Sequence, residues 1–119
     1  MATPNIVNVA TINAVNAAAA ITTSRAAAID VAADVVAKVN TILVCNIDGT
    51  NAANVTIEVS IDNGSNFVAL ASTISVPADA TLSFLESPIY LDETDLLYFT
   101  ASANSDLTYF VSYETLNDA

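Results

Sequence analysis

Histidine and tryptophan are absent from this chain of 119 residues, which also has one cysteine and two glycines. Without histidine there is no imidazole base, and the commonest transition-metal ligand is missing. Two glycines exclude a glycine-rich phosphate loop. The single cysteine, Cys45, excludes an intramolecular disulfide and is interpreted as a small buried apolar side chain. We therefore expect a protein without catalytic machinery and without a cofactor.

Basic residues are almost missing as well, since Arg25 and Lys38 stand against thirteen acids, for a net charge of −11. Nucleic acid and anionic membrane surfaces are excluded as partners, because both require clustered basic side chains. No apolar run approaches the roughly 20 residues of a membrane span. No signal peptide is evident, which predicts synthesis in a cytoplasm. Hydrophobic residues nevertheless make up 54% of the chain, with a mean hydropathy of +0.55. Part of this apolar surface is expected to be covered by copies or a partner.

Alternation with a period of two predicts an all-β fold. Val55, Ile57, Val59 and Ile61 alternate with polar residues and are expected on one buried face. Asp62-Asn63-Gly64 then predicts a hairpin turn. The same alternation recurs at Leu97, Phe99, Ala101 and Ala103, and at Leu107, Tyr109, Val111 and Tyr113. Short strands with turns about every ten residues are typical of a single β-sandwich, either a jelly roll or immunoglobulin-like.

The segment from Val39 to Ile47 is apolar on both faces, which predicts a central strand covered on two sides, by a second sheet or a neighbour. Residues 1–37 are rich in Ala and Asn and are interpreted as an extended N-terminal arm with edge strands, in one domain with a core at 38–119. Strand and turn are favoured over helix there, because residues 21–24 are β-branched and polar. An arm of this kind is expected to add a strand to a neighbouring sheet. The candidate interface residues are Pro4, Asn5, Ile6, Val7, Val9 and Ile12.

Two weaker patterns admit a ligand. Asp92, Glu93 and Asp95 form an oxygen-rich turn of the kind that suits calcium, but the spacing matches no EF-hand, and a solvated turn is preferred. Four tyrosines, at 90, 98, 109 and 113, are a candidate sugar-stacking surface. Their spacing along strands favours core or subunit interface instead.

Several segments resemble a known family: Ala2–Val9, Lys38–Thr50, Val76–Leu82, Ile89–Glu93, Thr100–Asn104 and Val111–Glu114. Together they are similar to a small virion structural protein of tailed phages that infect marine cyanobacteria. The resemblance covers nearly the whole chain and implies an assembled β-sandwich in the virion, with no active site to transfer. Where the family pattern has Glu-Gly-Asp, this chain has Glu93-Thr94-Asp95. Because Thr disfavours a positive φ, we expect a different turn type there.

The leading hypothesis is a capsid decoration or cement protein, made in the host cytoplasm and located in the virion. It would form homo-oligomers, with a trimer as the working guess, and dock on the major capsid protein shell or on other virion proteins. One alternative keeps the structural class but places the chain in the neck, tail or a fibre. Another is a surface module that binds host glycans. A non-viral secreted β-sandwich is disfavoured by the missing signal peptide and by the resemblance.

Overall fold

The computed structural model of the chain describes residues 7–118, which form nine β-strands and contain no helix. The strands are β1 (Val9–Ala20), β2 (Ala26–Asp30), β3 (Val35–Asn46), β4 (Ala53–Ser60), β5 (Val68–Val76), β6 (Thr81–Ser83), β7 (Ile89–Leu91), β8 (Leu96–Ala101) and β9 (Leu107–Asp118). Residues 7–37 of the Ala-rich N-terminal region are thus strand and turn, as predicted. Residues 32–34 lie in the connection between β2 and β3.

The strands form two antiparallel sheets. Sheet A has the order β1-β9-β3-β6, and sheet B has the order β2-β8-β4-β5. β6 pairs with residues 43–45 of β3 and β7 with residues 37–39, so the two short strands share one position in sheet A. Two sheets of four strand positions in this order make a jelly roll. The predicted all-β sandwich is confirmed, and of its two candidate topologies the chain adopts the jelly roll.

The core lies between the sheets and follows the predicted alternation. Val55 and Ile57 of β4 lie opposite Ala101 and Phe99 of β8, and all four side chains are buried. Across the sandwich, Phe99 stacks on Tyr109 of sheet A, with ring centroids 4.6 Å apart and an interplanar angle of 6°. Burying aromatic rings contributes much of the stabilisation of a small domain. The core therefore depends on the residues that the period of two selects.

The predicted alternation was wrong at the strand ends. Ile61 is 74% exposed because β4 ends at Ser60, one residue before it. The Ser60 hydroxyl donates to Asp62 Oδ1 (2.9 Å) and accepts a hydrogen bond from the Gly64 amide (2.7 Å). These contacts begin the predicted β4–β5 hairpin turn and carry Ile61 away from the core. Ile47 likewise follows the last residue of β3 and is exposed.

Six described residues other than glycine adopt a positive φ, namely Asp34, Asn63, Asp79, Thr94 and Ser105 in connections between strands and Thr73 within β5. Thr94 has a φ of 65°, so the expectation that a threonine there avoids this conformation was wrong. Hydrogen bonds hold it, because the Thr94 amide donates to the Val31 carbonyl (2.8 Å) and the Asp95 amide to the Asp92 carbonyl (3.1 Å). A left-handed conformation costs an ordinary residue about 1–2 kcal/mol. The surrounding contacts must offset that cost.

Asn46, at the end of β3, ties the two sheets together. Its side chain is 1% exposed, and its Nδ2 donates to the carbonyls of Val76 (2.9 Å) and Asn51 (3.0 Å). Its Oδ1 accepts a hydrogen bond from the Asp48 amide (2.9 Å). Because Val76 ends β5 of sheet B, one buried amide joins both sheets and the loop after β3. A buried amide satisfied in this way fixes the position of the chain around it.

Candidate assembly surface

Acidic side chains are concentrated in the connections between strands. Only four of the thirteen acids lie within the described strands, and two of these four, Asp30 and Asp118, are the last residues of β2 and β9. Several others meet at the two ends of the sandwich, where the Asp79 amide donates to the Asp48 carbonyl and the Asp34 amide to Glu93 Oε2. The outer faces of the sheets have few charges, and these balance one another, since Arg25 pairs with Glu58 and Lys38 lies opposite Glu114. Repulsion between copies is therefore weakest where those faces meet.

The outer face of sheet A has an apolar region that no other described part of the chain covers, whereas Lys38 and Glu114 lie opposite each other elsewhere on this face. It contains a depression of about 550 Å³ lined by β1, β3, β6 and β9, with Leu43, Cys45 and Phe110 among the lining residues. Leu43 lies opposite Phe110, and Cys45 opposite Thr108. Sheet B covers the Ile42 and Val44 side of β3, as predicted, whereas Leu43 and Cys45 are only half-buried. No described strand covers this second side of β3, so the two-sided cover predicted from its apolar sequence stays a prediction.

The β1 edge is the outer edge of sheet A. β1 pairs with β9 in continuous antiparallel register from Thr11 to Ala20, and no described strand lies on its other side. None of its twelve residues is charged. Its side chains are mostly exposed, including Ile12 at 62%. The backbone donors and acceptors along such an edge are available for pairing with another strand.

The candidate interface residues predicted from the sequence fall on both sides of the boundary of the described chain. Pro4, Asn5 and Ile6 lie outside the described residues. Val7 lies in the turn before β1 and is exposed, while Val9 begins β1 and is half-buried. Ile12 points to the outer face of sheet A, opposite Leu116 of β9. The part of this set that the structure describes is thus an integrated edge strand, and its role in an interface stays a prediction.

The outer face of sheet B carries a polar and aromatic cluster. Arg25 forms a bidentate pair with Glu58, at 2.8 Å and 3.2 Å, and its guanidinium lies 3.8 Å from the centre of the Phe67 ring. Phe67 in turn meets Tyr98 edge-on at 5.0 Å. Hydrogen bonding to Glu58 raises the pKa of Arg25, which is a cation at every accessible pH in any case. The cluster fixes the end of the β4–β5 hairpin turn against sheet B.

The four tyrosines do not form one surface. Tyr109 stacks inside the core, Tyr113 packs at its margin, and Tyr98 contacts Phe67 on the outer face of sheet B. Tyr90 is exposed (56%) on β7, which belongs to sheet A. A sugar-stacking platform needs several rings on one face. The preferred interpretation, in which the tyrosines serve packing, fits three of the four positions.

The acidic turn at residues 92–95 directs its carboxylates to backbone amides. Asp92 Oδ1 accepts from the Glu93 amide, and Asp95 Oδ2 from the Asp92 amide, both at 2.8 Å. Burial raises the pKa of Asp95, opposed by its hydrogen bond to Asp92. Glu93 is 6% exposed, and its Oε1 has no hydrogen-bond partner among the described residues. Within residues 7–118 no group of three or more acidic or cysteine side chains is arranged to hold a metal ion.

Comparison of this chain with known proteins finds similar folds among solved structures. No protein-family model matches the chain, and no curated protein does. A protein of Bacillus endospore appendages, described as a family of disulfide-linked pili, is 16% identical over 92% of this chain and 88% of its own, with a TM-score of 0.55. At that identity the similarity shows a shared fold alone.

Two further structures align less well. The Drosophila NLP core, described in terms of pentamer formation and histone binding, is 15% identical over 87% of this chain and 96% of its own, with a TM-score of 0.47. A pentameric capsid protein from metagenomic phage sequences is 15% identical over 86% of this chain and 60% of its own, with a TM-score of 0.40. Scores this low carry no argument about the present chain. Among residues 7–118, no helix has the length and apolar character to cross a membrane.

Proposed function

We propose that this chain is a non-enzymatic structural protein of a phage particle, and specifically a decoration or cement protein on the capsid. Copies of it would dock on the shell formed by the major capsid protein and stabilise that shell. The observation that supports this most is the uncovered apolar depression on the outer face of sheet A. Docking of a second protein surface on this depression would remove apolar surface from water, which is favourable.

The distribution of charge favours docking through this face. The depression is lined by alanine, threonine, leucine, cysteine and aromatic side chains, and none of its lining residues is charged. The acids at the ends of the sandwich would stay in solvent when the face is covered. Burying a charged lining on docking would cost much free energy through lost hydration, whereas burying this uncharged lining avoids that cost. The acidic ends would then keep neighbouring particles apart through like-charge repulsion.

The N-terminal residues extend the proposed contact. β1 begins at Val9, so deletion of residues 1–8 shortens none of the nine described strands. A larger deletion, of residues 1–16, would take away most of β1 and expose β9. We expect deletion of residues 1–8 to leave the unfolding midpoint unchanged while weakening attachment to the shell. This segment contains four of the six candidate interface residues.

Location in the particle is tested by immunogold labelling of intact virions of the phage that encodes the chain. Label distributed over the head is the expected result. Label confined to the neck, tail or fibres would refute the decoration role and support the alternative structural location. Complete absence of the chain from purified particles, by mass spectrometry, would refute any virion role.

Docking through the outer face of sheet A is tested with heads that lack the protein. We expect Phe110→Lys to reduce occupancy on these heads strongly, because it buries a charge in the proposed interface. Thr100→Lys is the matched control, since it adds the same charge to the outer face of sheet B. Equal binding by both variants would show that sheet A is not the docking face.

Binding of host glycans is a second candidate with one favourable observation, the exposure of Tyr90. A glycan array probed with the full chain addresses it. Binding that Tyr90→Ala abolishes would support this role, and an array without signal would leave the structural role as the only proposal.

A further inference from the structure

The four edges of the sandwich differ in how well they are protected against pairing. β2 has five residues and a register shift between Ala27 and Ile29. β6 and β7 have three residues each. β5 has nine residues, but its register with β4 shifts twice, and Thr73 adopts a φ of 52° within it. Short strands and bulges are the usual means by which proteins block edge-to-edge association.

The β1 edge lacks these protections. It is twelve residues long, about 40 Å at the usual rise per residue, and its register with β9 is continuous from Thr11 onward. It contains no proline, lysine or other charged residue. A long, regular and uncharged edge is the kind that accepts another strand. Among the described edges, β1 alone combines these three properties.

The absence of charge on β1 indicates what kind of partner it accepts. A basic partner would gain from acids on the edge with which it pairs, but β1 presents none. A second copy of this chain carries the same net charge of −11 and requires an edge without charge, since like charges that face each other across a strand pair are destabilising. An uncharged edge is what self-association of a strongly acidic chain requires.

We infer that two copies of the chain associate through their β1 edges, antiparallel and about a two-fold axis at Val15, so that sheet A continues from one copy into the next. In this register Ile12 of one copy lies opposite Ala18 of the other, and Ala14 opposite Asn16. Ile12, exposed in the single chain, gains an apolar neighbour on the same face. A two-fold contact of this kind is self-complementary and closes at two subunits, in contrast to the trimer guessed from the sequence.

This association does not depend on the proposed role in a capsid. It uses the edge of sheet A, whereas the proposed docking on a shell uses its outer face. It can therefore be measured on the purified full-length chain in solution, without any particle. Failure to dimerise would leave the docking proposal standing, and failure to dock would leave the dimer standing.

Sedimentation equilibrium of the full chain over a wide range of concentration measures the subunit number, and a dimer is expected. The variant Ala14→Lys with Asn16→Lys places a lysine of each copy opposite a lysine of the other, twice per dimer. We expect the dissociation constant to rise roughly tenfold or more, with partial recovery at high salt. These two positions are exposed in the single chain, so circular dichroism should show an unchanged fold.

A second variant controls for charge and tests the register. Ala14→Lys with Asn16→Glu changes the same two positions but places each lysine opposite a glutamate, so this variant should dimerise as well as the unmodified chain. The double-lysine variant lowers the net negative charge, so its weaker association cannot arise from general repulsion. A monomeric or trimeric unmodified chain, a double-lysine variant that dimerises normally, or a Lys/Glu variant that does not dimerise would each overturn the inference.

Discussion

Replacing Asn46 by alanine tests how the two sheets are held together. The substitution removes three hydrogen bonds, two donated by Nδ2 to the carbonyls of Val76 and Asn51 and one accepted by Oδ1 from the Asp48 amide. Each is worth about 1 kcal/mol net, and leaving a buried carbonyl unpaired adds about 1–3 kcal/mol. The Val76 carbonyl belongs to a residue without exposed surface, so water cannot easily replace the lost donor.

We therefore expect Asn46→Ala to lower the free energy of unfolding by about 4–6 kcal/mol, out of a total that is typically about 5–15 kcal/mol for a domain. For a chain of this length the loss corresponds to a fall in Tm of about 10 °C or more. Urea denaturation followed by tyrosine fluorescence or far-ultraviolet circular dichroism measures it. Because the inferred dimer would make stability depend on protein concentration, all variants are compared at one protein concentration.

Asn51→Ala is the matched control. The Asn51 side chain is exposed and makes one long contact, 3.5 Å from its Nδ2 to Asp48 Oδ2. Its loss should cost less than about 0.5 kcal/mol, the usual range for an exposed substitution. If Asn46→Ala costs less than about 1 kcal/mol with an unchanged m-value, the reasoning that this amide joins the sheets is refuted.

Two other predictions concern turns. Thr94→Gly should stabilise the fold by about 0.5–1 kcal/mol in urea denaturation, because glycine removes the cost of the left-handed conformation. The control Thr100→Gly, within β8, should destabilise the fold by a similar amount. Destabilisation by Thr94→Gly would contradict the claim that the conformation of Thr94 is costly. Hydrogen bonds from Asn66 and Ser60 lower the pKa of Asp62 below 3.8, so its contribution to stability is complete above that pH and declines as the pH falls through the lowered value. Asp62→Asn should make the acid side of a plot of Tm against pH less steep, and an unchanged slope would contradict this cause.

The sequence predicted the parts of the fold that depend on local pattern. Alternation places Leu97 and Phe99 in the core, and Asn63-Gly64 marks the hairpin turn, because the period of side chains along a strand and the conformational preference of turn residues act over a few positions. The same reasoning failed at Ile61, since the end of β4 depends on hydrogen bonds of Ser60 within the turn. It failed at Thr94, where contacts with the Val31 segment impose a conformation that the residue itself disfavours.

The candidate surface was predicted only in outline. The apolar excess and the low charge content of the N-terminal region indicated that the chain associates with other proteins, but they did not show where. The depression combines β1, β3, β6 and β9, which are far apart in the sequence. Asn46 gave no signal either, because its acceptor on Val76 lies thirty positions further along the chain. Such features arise from contacts between distant segments, which a pattern along the chain does not encode.

By itself, then, the sequence determined the strand content, the buried faces, the acidic net charge and the absence of charge from residues 9–20, since these follow from local period and composition. The tertiary structure alone decided that the sandwich is a jelly roll and that β1 is a full-length edge strand beside β9. It also decided that one face of β3 is left uncovered. The physical reason is that a period of two selects the face of each strand but not its partner, and the partner is chosen by packing and hydrogen bonding across the whole chain.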